Sequence, residues 1–350
     1  MTSPADLYAD PFHETVPKRK SKRVQLLGAS CRFESDSGEL MRLVDCAYAD
    51  VPGHFFSNAA PELRITLVLN SAAARKRNDE PTAASMLSGH RFLGATTSES
   101  SWVVLSPRAR AALVVLSPRL LRFPYHIRYE YLEFAVFTLT ARVQKLVPLH
   151  GACVGRDGRG VLLMGSSGSG KSTVALQCLL QGLDFVAEDA VFVDAHALRA
   201  TGIANYIHVR DESLRWLERP RDQAMIRRSP VIRRRSGVRK FEVDLRRAPF
   251  RLAAAPLKIV AVVFLSSEPA RDRSLLRSLP RKETLSTLDS LQAYAAGQPR
   301  WHAFRRSVAK LGAFELRRGA HPREAVEALQ SLLGAKPGSS SLRVNTCALP

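Results

Sequence analysis

The sequence predicts an α/β fold: a core with a mixed sheet flanked by helices, preceded by a small α+β domain. Three observations predict it. The run 161–164 (Val-Leu-Leu-Met) is short and wholly apolar, and it leads through a Gly/Ser-rich loop into an apolar helical stretch from Thr173 to Leu180, the strand–loop–helix order of an α/β unit. The run 259–265 (Ile-Val-Ala-Val-Val-Phe-Leu) is a second strongly apolar strand. Upstream, the β-like runs 63–69, 102–105 and 112–116 are separated by Pro-, Gly- and Ser-containing breaks, as in a small sheet-bearing domain.

Taken in order, residues 1–23 are polar and end in Lys18-Arg19-Lys20-Ser21-Lys22-Arg23, which reads as a disordered basic arm. Residues 24–125 form the α+β domain, with one helix-like stretch at 38–48. The core domain is expected over 126–336. It opens with a helix over 126–145, with Tyr131, Phe134, Phe137 and Leu139 as candidates for its buried side,. Leu146-Val-Pro-Leu-His150 breaks that helix. A strand, a turn at 156–160, the strand 161–164, the loop, its helix and a strand at 183–187 follow. A basic stretch covers about 210–251. Beyond the strand 259–265 come helices around 283–295 and 299–310, a short strand at 313–316 and a final helix from about Pro322 to Leu333. Residues 337–350 read as a flexible tail, and no internal repeat is evident.

Composition bounds the function. The 350 residues are 45% apolar and 24% charged, which excludes global disorder and suits two domains. Lys and Arg total 52 against 32 Asp and Glu, a formal charge of +20, and 41 of the 52 are Arg. Such a charge points to phosphate-bearing partners or to an Arg-favouring compositional bias. The five cysteines (31, 46, 153, 178, 347) are scattered and never at metal-ligand spacing, which argues for a reducing compartment. No apolar leader and no run of about 20 apolar residues is present, so a soluble, cytoplasmic protein is expected, without a membrane.

The informative element is Gly165-Ser166-Ser167-Gly168-Ser169-Gly170-Lys171-Ser172, which fits G-x-x-x-x-G-K-[ST], the phosphate loop or Walker A pattern, at every fixed position. Glycines let consecutive N–H groups turn toward one anion. The following helix adds the positive end of its dipole. Lys171 is expected to reach the β- and γ-phosphates of ATP, and the Ser172 hydroxyl to ligate Mg²⁺; Thr173 completes the ATP-binding set. Glu188 and Asp189 end the next strand, 17 residues after Lys171. Carboxylates at such a strand end can hold the metal and accept a proton from an attacking hydroxyl.

These residues together resemble the C-terminal catalytic domain of HPr kinase/phosphorylase, a serine kinase family. The resemblance is carried by His150-Gly151-Ala-Cys-Val154, by 160–165, by the loop 167–172 and by Gly182-Leu-Asp-Phe-Val-Ala-Glu-Asp189, about a seventh of the chain. It implies Glu188 at the position of the family's catalytic Asp, Asp189 as a metal-holding partner, His150 as the active-site histidine near the transferred phosphate, and Lys171 as a catalytic cation. It also implies an HPr-like acceptor and a homo-oligomer. The chain departs from the family in having Glu at 188 and Thr at 173, in lacking a clear later signature around 205–215, and in its N-terminal region.

Residues 215–251 hold 13 Arg or Lys and four acids. Aromatics are sparse there (Trp216, Phe241, Phe250), so the stretch argues against nucleic acid and for a mobile basic loop serving the transferring phosphate or an acidic acceptor. Arg239 and Lys240 are the chosen contacts, with Arg271 and Arg273 as rivals. The reading is an ATP- and Mg²⁺-dependent kinase acting on a serine, or another hydroxyl, of a small protein or peptide. The alternatives are an ATP-binding regulatory protein without transfer and a small-metabolite kinase.

Overall fold

The computed structural model describes residues 19–56, 60–70, 85–89, 91–98, 101–247, 250–270 and 274–334. The tail at 337–350, most of the basic arm, and Arg271 and Arg273 lie outside them. The described end of the arm differs from expectation. Lys20 to Arg23 belong to strand β1 (Lys20–Leu26), paired antiparallel with β2 (Ala29–Ser35). The alternating Ser21, Arg23 and Gln25 let a basic, solvated sequence occupy a sheet edge,.

The chain divides into two compact units, 1–49 with 59–143 and 50–58 with 144–350. The first carries, among the described residues, a seven-stranded mixed sheet. Its further elements are α1 (Gly38–Tyr48), β3 (Glu62–Leu69), β4 (Ser85–Gly89), β5 (Phe92–Ser98), β6 (Ser101–Ser106) and β7 (Ala111–Leu116), in the order β1-β2-β3-β7-β6-β5-β4. Ser37 caps α1 by accepting from the Leu40 N–H at 3.3 Å,, and Tyr48 at its end stacks on Phe33 at 5.5 Å.

The helix expected to open the core domain belongs to this first unit instead. It runs from a π-helical turn, Ile127–Leu132, into α2 (Glu133–Gln144). Tyr131 and Leu139 are buried as expected, whereas Phe134 and Phe137 are half-buried. The turn packs against α1, so the apolar face that suggested a core helix is satisfied there. The segment 50–58 goes the other way. His54 is buried in the second unit, with Nδ1 2.7 Å from Thr201 Oγ1 and Nε2 2.8 Å from the Ala253 carbonyl.

The second unit is built on β8 (Val147–His150), β9 (Ala152–Arg156), β10 (Arg159–Met164), α3 (Lys171–Leu180), β11 (Asp184–Ala187), β12 (Ala190–Asp194), β13 (Arg199–Thr201) and β14 (Tyr206–Val209). It continues through α4 (Pro220–Arg227), β15 (Val231–Arg233), β16 (Arg239–Asp244), β17 (Leu257–Pro269), β18 (Leu276–Leu279), α5 (Arg281–Leu291), α6 (Trp301–Leu311), β19 (Ala313–Arg318) and α7 (Pro322–Gly334). The basic stretch is therefore not a loop: it folds into α4 and two strands of an antiparallel β14-β16-β15 sheet.

β10 sits in the middle of a mixed sheet, antiparallel to β9 and parallel to β17, which is in turn parallel to β19. Both of its faces are covered, which is why its sequence is apolar without alternation,. Val161 and Leu163 face one cluster with Val174, Ala175 and Leu179 of α3 and Val326 and Leu329 of α7. Leu162 and Met164 face the other, with Leu288 of α5 and Trp301, Phe304 and Val308 of α6. Among the described residues, no helix is long and apolar enough to cross a membrane.

Phe304 is fully buried under the sheet. We expect Phe304→Ala to lower unfolding stability by about 3–5 kcal/mol, read in urea melts at an unchanged slope. A loss below about 1 kcal/mol would mean the α6 face does not carry this core.

Candidate functional site

The Gly/Ser loop leaves β10 at its carboxyl end and closes at the start of α3. Gly168 and Gly170 adopt φ of +84° and +97°, the left-handed region open to glycine at no steric cost. Gly165 sits at a close approach instead. A Cβ there would lie 2.5 Å from Ser169 Oγ and 3.2 Å from the Leu265 carbonyl of β17. Gly170 is the N-cap of α3 and its carbonyl accepts from the Val174 N–H at 2.9 Å. The first-turn N–H groups of α3 therefore carry the positive end of the helix dipole into the loop's mouth.

Lys171 bends back over this loop. Its ammonium donates to the carbonyls of Gly165 at 2.6 Å and Ser166 at 3.0 Å. Burial lowers its pKa, opposed by the charges of Asp189 and Glu188, so those carboxylates help hold it as a cation. Ser167, Gly168, Ser169, Gly170, Lys171, Ser172 and Thr173 all line one cavity of about 620 Å³. Gly165 and Ser166 stand behind it, contributing through the two carbonyls.

Glu188 and Asp189 lie between β11 and β12 and open into the same cavity. His150, the last residue of β8, pairs with Ala190 of β12, and this register sets its ring beside Asp189, Nδ1 to Oδ1 at 3.0 Å. Gln292 grips the His150 backbone from both sides: its amide donates to the His150 carbonyl at 2.8 Å and its oxygen accepts from the His150 N–H at 2.9 Å. Arg234 brings a guanidinium 3.7 Å from the other Asp189 oxygen. Burial pushes the Asp189 pKa up, but the hydrogen bond and charge of His150, with Arg234 and Lys240, outweigh it and hold the carboxyl down at about 2.

Glu188 has a buried partner that the sequence reading missed. His208, on β14, faces Glu242 across the β14–β16 ladder. Its Nδ1 lies 3.3 Å from Glu188 Oε1, its Nε2 3.6 Å from Glu242 Oε1, and its backbone N–H donates to Glu188 Oε1 at 3.1 Å. All three side chains are only 5–6% exposed. Among the described residues, Glu188 Oε2 is buried with no hydrogen-bond partner.

Strand alternation decides the two basic candidates. Lys240 shares a face of β16 with Glu242 and lines the cavity, whereas Arg239 points to solvent and does not,. Arg234, just past the end of β15, also lines the cavity and is not among the residues the sequence singles out. Lys240 and Glu242 could have been read as like-facing from Lys240-Phe-Glu242, two charges around an aromatic residue,.

A magnesium ion fits what is present. Among the described residues no group of three or more His, Cys, Asp or Glu forms a metal cage. The Asp189 carboxylate is half-exposed and the Ser172 hydroxyl reaches the same cavity. Magnesium characteristically takes one or two protein oxygens and leaves its other positions to water and phosphate.

Burial lowers the pKa of His208, but the hydrogen bonds and charges of Glu188 and Glu242 prevail and raise it overall. The protonated ring thus adds stability that is complete below about pH 6.5 and is lost as pH climbs through the raised value. Unfolding free energy should fall over that window, and His208→Gln should flatten the fall. Identical pH curves for the two proteins would contradict this arrangement.

Comparison with known proteins places a family on this segment. The family model described as HPr Serine kinase C-terminal domain matches residues 141–210, which include His150, the Gly/Ser loop, the acidic pair and His208. The HPr kinase/phosphorylase of Mycoplasmopsis pulmonis (strain UAB CTIP) is 40% identical over 63 residues, 18% of this chain and 20% of that protein. The match therefore spans about a fifth of that relative's length. A solved structure, the HPr(Ser) kinase/phosphatase from Coxiella burnetii, aligns over 53% of this chain and 94% of its own at 12% identity and a TM-score of 0.28. The resemblance seen in the residues is borne out, and the chain is HPr-kinase-like over this segment.

Proposed function

We propose that this protein is an ATP- and Mg²⁺-dependent kinase that phosphorylates a hydroxyl, foremost a serine of a small protein or peptide such as an HPr-like carrier. The observation that carries the reading is one cavity holding Lys171 on a phosphate loop opposite Glu188 and Asp189. The family match supports it, since it covers both halves of that arrangement. A homo-oligomer belongs to the same reading by likeness to the family.

The polyphosphate of ATP lies on the N–H groups of the loop and the first turn of α3, and Lys171 exchanges the Gly165 and Ser166 carbonyls for phosphate oxygens. Ser172 and Asp189 are the residues that would hold a magnesium ion, which when bound would supply charge neutralisation to the phosphates. Arg234 and Lys240 add fixed positive charge beside the transferring group. Glu188 receives the acceptor's proton. Its Oε1 is pinned by His208, and its partnerless Oε2 is the oxygen left for that proton,. One bond forms between the acceptor oxygen and the terminal phosphorus, the bond to the bridging oxygen breaks, and ADP leaves. The glutamate at 188 is longer than an aspartate by one methylene, and the His208–Glu242 pair compensates by fixing where it ends.

Incubation with γ-labelled ATP, Mg²⁺ and candidate serine-bearing acceptors should give label transfer. Lys171→Ala should cut it by about a hundredfold or more, and equal labelling by wild type and variant would overturn the assignment. Glu188→Asp should lower transfer by about tenfold or more, because the shorter carboxylate loses its hold on His208. A gain would instead mark a nucleotide-binding regulator whose transfer chemistry has decayed.

A further inference from the structure

One end of the cavity holds the carboxylates. The segment after β14, a 3-10 turn over Asp211–Trp216, also lines the cavity and is tied to α3 at two points. Thr173 Oγ1 lies 3.2 Å from Ser213 Oγ, and the Gln177 amide donates to the Trp216 carbonyl at 2.9 Å. Gln177 stands about 9 Å along the axis of α3 from Lys171, at 1.5 Å per residue. That separation compares with the reach of a ribose and its inner phosphates. A triphosphate laid across the loop with its outer end at Glu188 and Asp189 directs its nucleoside toward Trp216.

Trp216 suits that load. Its indole is half-buried and lines the cavity. The exposed guanidinium of Arg215 lies over the ring, 4.7 Å from its centroid, and His321 meets it edge-on at 5.3 Å. An exposed cation over an indole face exchanges readily with another flat group, and it can instead pair with an inner phosphate. His321 is fixed in orientation. Its Nδ1 accepts from the Arg323 N–H at 3.1 Å, which in the neutral ring leaves the hydrogen on Nε2 as a donor. Ring nitrogens of a nucleobase are acceptors of that kind.

We infer that Trp216, bordered by His321, is the nucleobase subsite, and that it makes a purine nucleoside triphosphate a tighter ligand than its bare phosphate chain. The indole gives a purine more stacking area than a pyrimidine. This rests on the phosphate loop holding the polyphosphate. The segment matched by the family model ends at residue 210 and includes neither Trp216 nor His321.

Titration calorimetry on the full chain, with Mg²⁺ and either ATP or inorganic tripolyphosphate, tests it. Wild type should bind ATP more tightly than tripolyphosphate. Trp216→Ala should weaken ATP by about ten- to a hundredfold, the range of base–aromatic stacking, and leave tripolyphosphate unchanged. Trp216→Phe should recover most of the loss, and Lys171→Ala should weaken both ligands. Three results would overturn the subsite while leaving the phosphate loop intact: ATP binding untouched by Trp216→Ala, equal loss of both ligands in that variant, or wild-type ATP no tighter than tripolyphosphate. If wild type bound neither ligand, the phosphate-loop reading itself would fail and take the subsite with it.

Discussion

Everything at this site is arranged around one ammonium group. Lys171 is buried, and in a low-dielectric setting an isolated cation is costly. Two loop carbonyls solvate it and two carboxylates across the cavity oppose its neutralisation. The carbonyls belong to Gly165 and Ser166, so the charge is held by the same loop that the proposed function assigns to the phosphates. In the proposed function a phosphate takes over the role of those carbonyls. The loop's shape, in turn, depends on close approach at Gly165, where β10 meets β17.

The rest of the site follows from strand ends. β8, β11 and β12 converge so that His150, Glu188 and Asp189 enter the cavity from adjoining strand termini. The separate β14-β16-β15 sheet then supplies His208, Lys240 and Glu242 from opposing, like-facing positions, with Arg234 beyond the end of β15. Acidic and basic side chains alternate there: Asp189 between His150 and Arg234, His208 between Glu188 and Glu242. Each carboxylate is oriented by a histidine whose strand pairing fixes its backbone, an arrangement that would limit reorganisation in the proposed reaction,.

The sequence was most legible where chemistry and local geometry coincide. Gly168, Gly170 and Lys171 could be placed in one cavity because the G-x-x-x-x-G-K-[ST] pattern is contiguous. The strand 161–164 and the helices near 301 and 322 could be placed from their apolar patterning. His208, Glu242 and Arg234 were not legible as site residues, because they reach the cavity only through strand pairings between segments far apart in sequence. The mobile loop expected over 215–251 rests on composition: charge density says nothing about backbone pairing, and alternation across β16 buries Lys240 while exposing Arg239. The helix before Gln144 was assigned to the wrong unit for a similar reason. Its apolar face specifies that it packs, not on what.

The most direct test is a crystal structure with Mg²⁺ and a non-hydrolysable ATP analogue. The account predicts the polyphosphate on the loop, Lys171 Nζ moved from the Gly165 and Ser166 carbonyls onto phosphate oxygens, and the terminal phosphate facing Glu188 Oε2. An analogue bound elsewhere, or Lys171 still capping the two carbonyls with the nucleotide in place, would contradict it.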